Sequence, residues 1–536
     1  ALFLRGFHYF LLAQWYGDVP LQVHSVTDPT QSQVARTPVT QVYDQIITDL
    51  TMADSLLYDQ TFSSLGYSEK ISRTGVEAML ARVCLYAAGQ PVNDTKRYAD
   101  AAAWAQKVMN SGQHSLVTPY SKVFTDEAQN IYNKENIWEI GFNQKGAGAI
   151  SAGGGIGVYV GVSNTFSNGT SGTGTVLYDS GYVYSYLKLH PRLFFTYQAG
   201  DTRRDWNIGN YTLTNAIKVP VANNKYWSRQ PAKWRREYEP AISRSVQMTS
   251  NTNFPVVRYA DVLLMRAEAE NEVNGPTAVA YDAINQVRRR SILSARVVDS
   301  IGFTTGTGYT NIPGGNYTTG GGTGFGFNIV YTASNKTVQV LLTGQGSGYT
   351  SAPVITIGNQ WTAATAYAVG IQVAAGARLY TVTTAGTSTA TAPTNTSGAS
   401  AAATTGAVFT YAGVAATAYT ILSPVPVVDL PAGLSKDQFR KAIQDERSRE
   451  LCFEALRQQD LKRWGLLITT IRGLADDING TNALFPLIPP VVSELGAGTD
   501  ATPLSPVKNV SEKDMFLPIP LNDLNLNKLL KQNPGY

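Results

Sequence analysis

Apolar residues at helical spacing mark both ends of the chain, and that periodicity predicts most of its architecture. Phe3, Phe7, Phe10, Leu11 and Trp15 share one face of a helix over residues 1–16, halted by Gly17-Asp18-Val19-Pro20. Thr37-Pro38 reads as an N-cap followed by a first-turn proline, with Val39, Val42, Tyr43, Ile46, Ile47 and Leu50 as the stripe behind it. Ser72 or Thr74 opens the next helix, which buries Val76, Met79, Leu80, Val83 and Ala87 and stops at Gly89. A helix over 98–110 follows, with Ala101, Ala102, Ala105, Val108 and Met109 inward and a stop at Gly112. A second pair covers 258–274, ended by Gly275-Pro276, and 277–290. The segment DERSRELCFEALRQQDLKRWG, residues 445–465, reads as one charged helix. In it Glu446, Glu450 and Glu454 recur every four residues, and Arg449, Arg457 and Arg463 follow Glu446, Glu454 and Asp460 at a spacing of three. Those spacings put opposite charges on adjoining turns. Leu451, Phe453, Leu456 and Leu461 would dock the helix, and Trp464-Gly465 would end it.

Between these ends the pattern changes twice. Over 131–253 the helical period fades, glycine-rich turns appear at 146–157, and rings accumulate, among them Trp138, Tyr159, Tyr178, Tyr182, Tyr184, Tyr186 and Tyr211. Dense rings in polar loops suit a binding surface, because a flat ring stacks on the apolar face of a sugar or a peptide. The competing role for any one ring is to fill an irregular core. The best individual candidates are Trp206, Tyr226, Trp227 and Trp234, with Tyr238 and Tyr182 beside them. From 301 to 430 there are only three charged residues, Lys336, Arg378 and Asp429, but 20 of the chain's 48 glycines. GTGYTNIP at 306–313 recurs as GSGYTSAP at 346–353, and the second copy runs into the strand-like Val354-Ile355-Thr356-Ile357. That duplication argues for folded β-structure over a disordered linker.

Composition narrows the class. A chain of 536 residues is too long for one core, and its 43% hydrophobic content can build several. A net charge of +4, with basic and acidic residues interspersed, gives no nucleic-acid footprint. No stretch approaches the ~18 apolar residues of a membrane-spanning helix. Cys84 and Cys452 sit inside apolar helical patterns and read as two buried thiols, not as a disulfide framework. His8, His24, His114 and His190 are scattered singly, so no metal site is expected.

The order E-R-x-x-E-L-x-F-E-x-x-R-x-x-D-L-x-R-W-G from Glu446 to Gly465 resembles the C-terminal signature of the SusD/RagB family. Three further segments resemble the same family in the same order. They are FLRGFHYFLLAQWYGDVPL at the start, RYADVLLMRAEA at 258–269 with Ile284-Asn285-Gln286-Val287-Arg288, and the closing PIP…NKLLKQNPGY. The resemblance implies a mainly α, TPR-containing helical scaffold with an irregular loop region. Such proteins lid a SusC-like TonB-dependent barrel at the cell surface of the outer membrane and capture oligosaccharide, or less often peptide, for import. It also implies a lipid anchor and signal peptide ahead of Ala1, so the chain reads as truncated or incompletely represented at its start. In this family a short link joins the helix near 290 to the Asp429-Leu430-Pro431 segment; in this chain roughly 130 residues intervene. They read as an inserted all-β domain. Within it, WTAATAYAVG at 361–370 followed by Leu379-Tyr380-Thr381-Val382 resembles small chitin-binding-type carbohydrate modules, which makes Trp361, Tyr367 and Tyr380 a possible secondary sugar site.

The expected organisation is a TPR-like region over 1–130, an aromatic-rich ligand-binding region over 131–253, a helical pair over 254–292, the insertion over 293–428 and a C-terminal helical region over 429–536. The insertion subdivides into a duplicated part, 301–358, and a module-like part, 359–413. No catalytic site or cofactor is expected. A hydrolase needs one carboxyl with a raised pKa, whereas Glu446, Glu450 and Glu454 each have a basic neighbour within a turn that favours ionisation. Glu268, Glu270 and Glu272 alternate along a helix and cannot converge. The leading reading is a non-enzymatic glycan-binding lipoprotein partnered with a SusC-like transporter. The alternatives are a peptide-binding import component and an adhesive surface protein acting through the insertion.

Overall fold

Single punctuating residues set the lengths of the main helices. Gly17, at φ 72°, closes the Leu2–Tyr16 helix, and the Ser72 hydroxyl accepts from Gly75 N–H to open Arg73–Ala88. Gly275, at φ 81°, ends Tyr259–Asn274. The computed structural model describes residues 1–142, 153–165, 181–214, 217–222, 225–244, 249–293, 296–400, 406–423, 427–495 and 504–536. Tyr178 and most of the glycine-rich stretch at 146–157 lie outside the described residues. Helices predominate, and the chain forms two units: Ala1–Tyr197 with Arg203–Ser291 and Asp429–Tyr536, and Gln198–Thr202 with Ile292–Val428.

The first unit is built on packed helices. Val42, Ile46, Leu50, Val76, Leu80 and Val83 meet Leu263, Leu264, Ile284, Phe439 and Ile443 in one core from which water is excluded. Phe3 and Phe7 both set their rings edge-on to Trp138, at 4.8 and 4.9 Å. Leu11, assigned to the inner face by periodicity, is instead 37% exposed, because Phe10 and Ala13 complete that face. Thr37 does not cap the second helix. Helix Val39–Leu56 begins one residue after Pro38, and its first N–H is capped from outside by the Asp18 carboxylate at 2.8 Å.

The charged signature is not one helix. Lys436–Glu450 ends in a turn, and Arg457–Arg463 is a separate short helix. Phe453 and Ala455 stand at φ 63° and 59°, a conformation that breaks the helix and carries Glu454 off the face shared by Glu446 and Glu450. Gly89 makes room for this segment. A Cβ there would lie 2.4 Å from the Arg463 carbonyl oxygen, to which Gln90 N–H donates at 2.9 Å.

Among its described residues, the 292–428 part of the second unit is built of strands and loops. Its first and last long strands, Val298–Thr304 and Thr417–Leu422, pair antiparallel with Val298 opposite Leu422. Thr323–Thr332 and Thr337–Ser347 form a long antiparallel pair, and Gly315–Tyr317 pairs with Ile355–Ile357. A four-stranded sheet joins Asn359–Gln360, Gln372–Ala375, Arg378–Thr384 and Val408–Val414 in that order. The duplicated motif is a structural repeat. Gly308 and Gly348 take φ 77° and 81°, and the tyrosine after each is buried, at 2% and 3% exposure. On the first unit the two chain ends that leave for this insertion meet: Arg289 Nε donates to Asp429 at 2.8 Å, and Leu430 N–H to Asn285 Oδ1 at 2.9 Å.

Candidate functional site

Residues 181–186 behave as a strand laid against a single helical turn. Tyr184 N–H donates to the Val158 carbonyl at 2.8 Å and Tyr186 N–H to the Tyr159 carbonyl at 3.1 Å. The period of two then sorts the side chains: Val183 and Ser185 are buried, whereas Tyr182 and Tyr184 are part-exposed and Tyr186 is 66% exposed. Tyr159 closes the turn Ile156–Tyr159 and adds a third parallel ring. Tyr184 and Tyr186 stack at 5.0 Å and 16°, Tyr159 and Tyr186 at 5.7 Å and 12°, and Tyr159 and Tyr184 at 5.9 Å and 18°. Tyr182 stands across Tyr184 at 4.6 Å and 80°. Gly155 permits the stack, since a Cβ there would sit 2.7 Å from the Tyr159 ring.

A buried charge pair supports this face. Arg236 donates to the Tyr182 carbonyl at 2.9 Å and to Glu239 at 3.2 Å, and Ser250 Oγ donates to Glu239 at 2.6 Å. Burial lowers the Arg236 guanidinium from its ordinary value, with Glu239 opposing. Near-parallel rings carrying phenolic hydroxyls, with Tyr186 open to solvent, offer an apolar ring surface beside hydrogen-bonding groups, a chemistry matched by the CH face and hydroxyl edge of a sugar.

The residues singled out from sequence do not form one site. Trp206 and Tyr238 do meet, at 5.6 Å, and Arg235 lies 4.2 Å over the Trp206 ring. Arg235 is itself held by the carbonyls of Ala232, Asp205 and Trp206. Tyr226 packs on Phe195 at 4.8 Å, and the N–H groups of Tyr226 and Trp227 both donate to the Glu494 carboxylate. Trp227 is buried. Its ring fills a core with Ile478, Ile488 and Val491, and its indole N–H donates to the Pro489 carbonyl at 2.8 Å. Trp234 is buried more deeply. It is 1% exposed, edge-on to Phe124 at 5.2 Å, and donates to the Phe453 carbonyl. Of the predicted rings only Tyr182 joins the tyrosine stack. For Tyr184 and Tyr186 the sequence signal is the Tyr182-x-Tyr184-x-Tyr186 alternation, whereas Tyr159 lies outside it.

In the insertion, Tyr380 is fully buried and its hydroxyl donates to the Pro393 and Asn395 carbonyls, so it offers no platform. Trp361 and Tyr367 are half-buried against Phe409, Val373 and Tyr380. The module-like rings are thus mainly a core.

The signature carboxylates are scaffold. Glu450 accepts from Arg290 at 2.6 Å, Arg203 at 3.0 Å and Arg258 at 3.2 Å, while Glu454 accepts from Lys233 at 2.6 Å and Arg258 at 2.7 Å. Glu446 takes Arg203, Arg288 and Arg449. Burial alone would raise the Glu450 carboxyl, but Arg290, Arg258 and Arg203 hold it at about 2. The same opposition depresses Glu446 and Glu454. Carboxylates this firmly ionised and shut away from water cannot serve as general acids.

The family described as SusD matches residues 123–312 and 407–536, and a second, described as starch-binding associating with outer membrane, matches 1–85. SusD-like protein P2 of Formosa agariphila is 27% identical over 317 residues, which span 57% of this chain and 58% of that relative. A SusD homolog from Bacteroides thetaiotaomicron superposes with a TM-score of 0.63 at 22% identity, over 100% of this chain and 78% of that one. Surface glycan-binding protein A from Bacteroides fluxus gives 0.52 at 15% identity, over 100% and 77%. These two likenesses show the shared fold.

Proposed function

Because this chain belongs to the SusD family, we propose that it is a non-catalytic glycan-binding protein of the outer membrane that holds oligosaccharide on its tyrosine face and passes it to a SusC-like TonB-dependent transporter. The observation that carries the reading is the stack of Tyr159, Tyr184 and Tyr186, three rings within 18° of parallel with Tyr186 open to solvent. Stacking on sugar CH groups needs no charge, and Tyr182 adds a perpendicular wall. Trp206, Tyr238 and Tyr226 stay in the proposal as further contacts, because each is only partly buried. The matched family described as starch-binding, and a neighbour named for glycan binding, support the cargo class.

Isothermal titration against a panel of neutral oligosaccharides tests it. Combined Tyr184→Ala and Tyr186→Ala should weaken binding by about tenfold or more with the fold retained. Unchanged affinity would remove the tyrosine face from the proposal. Copurification with a barrel protein from outer-membrane extracts tests the delivery step.

A further inference from the structure

The inserted unit packs its module-like rings about Tyr380 but leaves two open clefts at another place. One, of about 420 Å³, runs between the first copy of the duplicated motif and the four-stranded sheet, with Asn311, Asn316 and Asn359 on its walls. The other, of about 500 Å³, shares Ile312, Pro313, Gly315 and Asn316 with the first and continues past Tyr317, Phe327 and Asn328. We infer that this continuous seam is a second binding site, for a neutral oligosaccharide.

Three observations carry it. The first is a supported, open ring. Tyr317 is 41% exposed and stands at right angles to Phe325, 4.8 Å away, and at 76° to Phe327. Gly315 lets the strand approach, since a Cβ there would sit 2.9 Å from the Phe327 ring.

The second is the chemistry of the walls. Among the described residues no charged side chain lines either cleft. Asn311, Asn316 and Asn328 are exposed there. A carboxamide offers a donor and an acceptor side by side, the complement of neighbouring sugar hydroxyls. An anionic glycan or a phosphate would call for arginine or lysine, and neither lines these walls.

The third is that the seam is built in advance. Gln372, on the four-stranded sheet, donates to the Gly308 carbonyl at 2.9 Å and accepts from Thr310 N–H at 3.0 Å, while Gly358 N–H donates to the Gly314 carbonyl. Both walls are thereby tied, so a ligand meets a surface whose ordering cost is already met.

The site does not rest on the tyrosine face, and the experiment keeps the two apart. The full chain carrying Tyr184→Ala and Tyr186→Ala is titrated with maltohexaose, cellohexaose, mannohexaose and laminarihexaose, with trigalacturonic acid as the anionic control. At least one neutral hexasaccharide should still bind. Adding Tyr317→Ala, or separately Asn316→Ala, should weaken that binding about tenfold, while the galacturonate gives no heat. Circular dichroism confirms that each variant is folded, and both substituted side chains are exposed enough to be removed without opening a core. Absence of all four sugars from the double variant overturns the seam site, as does residual binding indifferent to both added substitutions. Equal binding by the unsubstituted chain and the double variant counts against the tyrosine face alone.

Discussion

Arg290 donates to Glu450 at 2.6 Å, and neither side chain is more than 2% exposed. The carboxylate also receives Arg203 and Arg258, so one acid organises three guanidiniums from distant parts of the chain. Glu450→Gln should therefore remove one counter-charge from a buried cluster in which Arg203, Arg258 and Arg290 share the remaining carboxylates. A loss of about 3–5 kcal/mol is expected, read as a lowered urea midpoint with little change in slope.

The same substitution at Glu127 should behave differently. Burial first, and then the neighbouring Glu139 carboxyl, push Glu127 well above the ordinary carboxylate range, which favours its neutral form. Asn136 donates to both acids. Glu127→Gln replaces one neutral group with another of similar shape, and its unfolding free energy from urea titration should stay within about 1 kcal/mol of the parent.

Acid should unfold the first unit through its depressed carboxyls. Against burial, Arg447 and Arg82 lower Asp261 to about 2, and Glu450 is held at about 2 by its own arginines. In the unfolded chain these groups take up protons near 3.8 and 4.5. The unfolded state binds more protons across that interval, so stability is full above it and drains as pH falls through it. Calorimetric midpoints should drop steeply from about pH 5 to about pH 2. A flat profile there would contradict the ion-pair account.

Trp234→Ala should cost about 3–5 kcal/mol of stability and leave glycan affinity of the folded protein unchanged. Its ring packs on Phe124 and its N–H is taken by Phe453, so it has no surface to offer a ligand. Thermal unfolding paired with calorimetric titration reads both quantities on one sample.

Gly155→Ala should do the reverse. The added carbon would meet the Tyr159 ring at 2.7 Å and push it out of the stack. Affinity should fall about tenfold while the thermal midpoint moves little, because Gly155 takes an ordinary negative φ.

The helical frame was legible because its apolar stripes and stop signals are local: Val42 to Leu50 and the Arg73–Ala88 helix sit as their periodicity requires. The insertion was legible through its loss of charge and its repeated glycine-tyrosine turn. The break in the signature helix was not, since nothing about Phe453 or Ala455 favours a positive φ and only surrounding packing enforces it. The binding rings were hardest. Trp234 and Tyr186 both lie among polar neighbours in an irregular stretch, and what separates 1% from 66% exposure is the fold around them.

Arg289 and Asp429 have a consequence for how such a chain can change over time. The frame closes on itself through that ion pair where the strand-rich unit departs, and that unit's own first and last long strands pair with each other. Each pair of ends is thus tied within its own unit. A stretch that leaves and returns at neighbouring points of a frame is one that can lengthen, shorten or be replaced over time with few changes to the frame's own core.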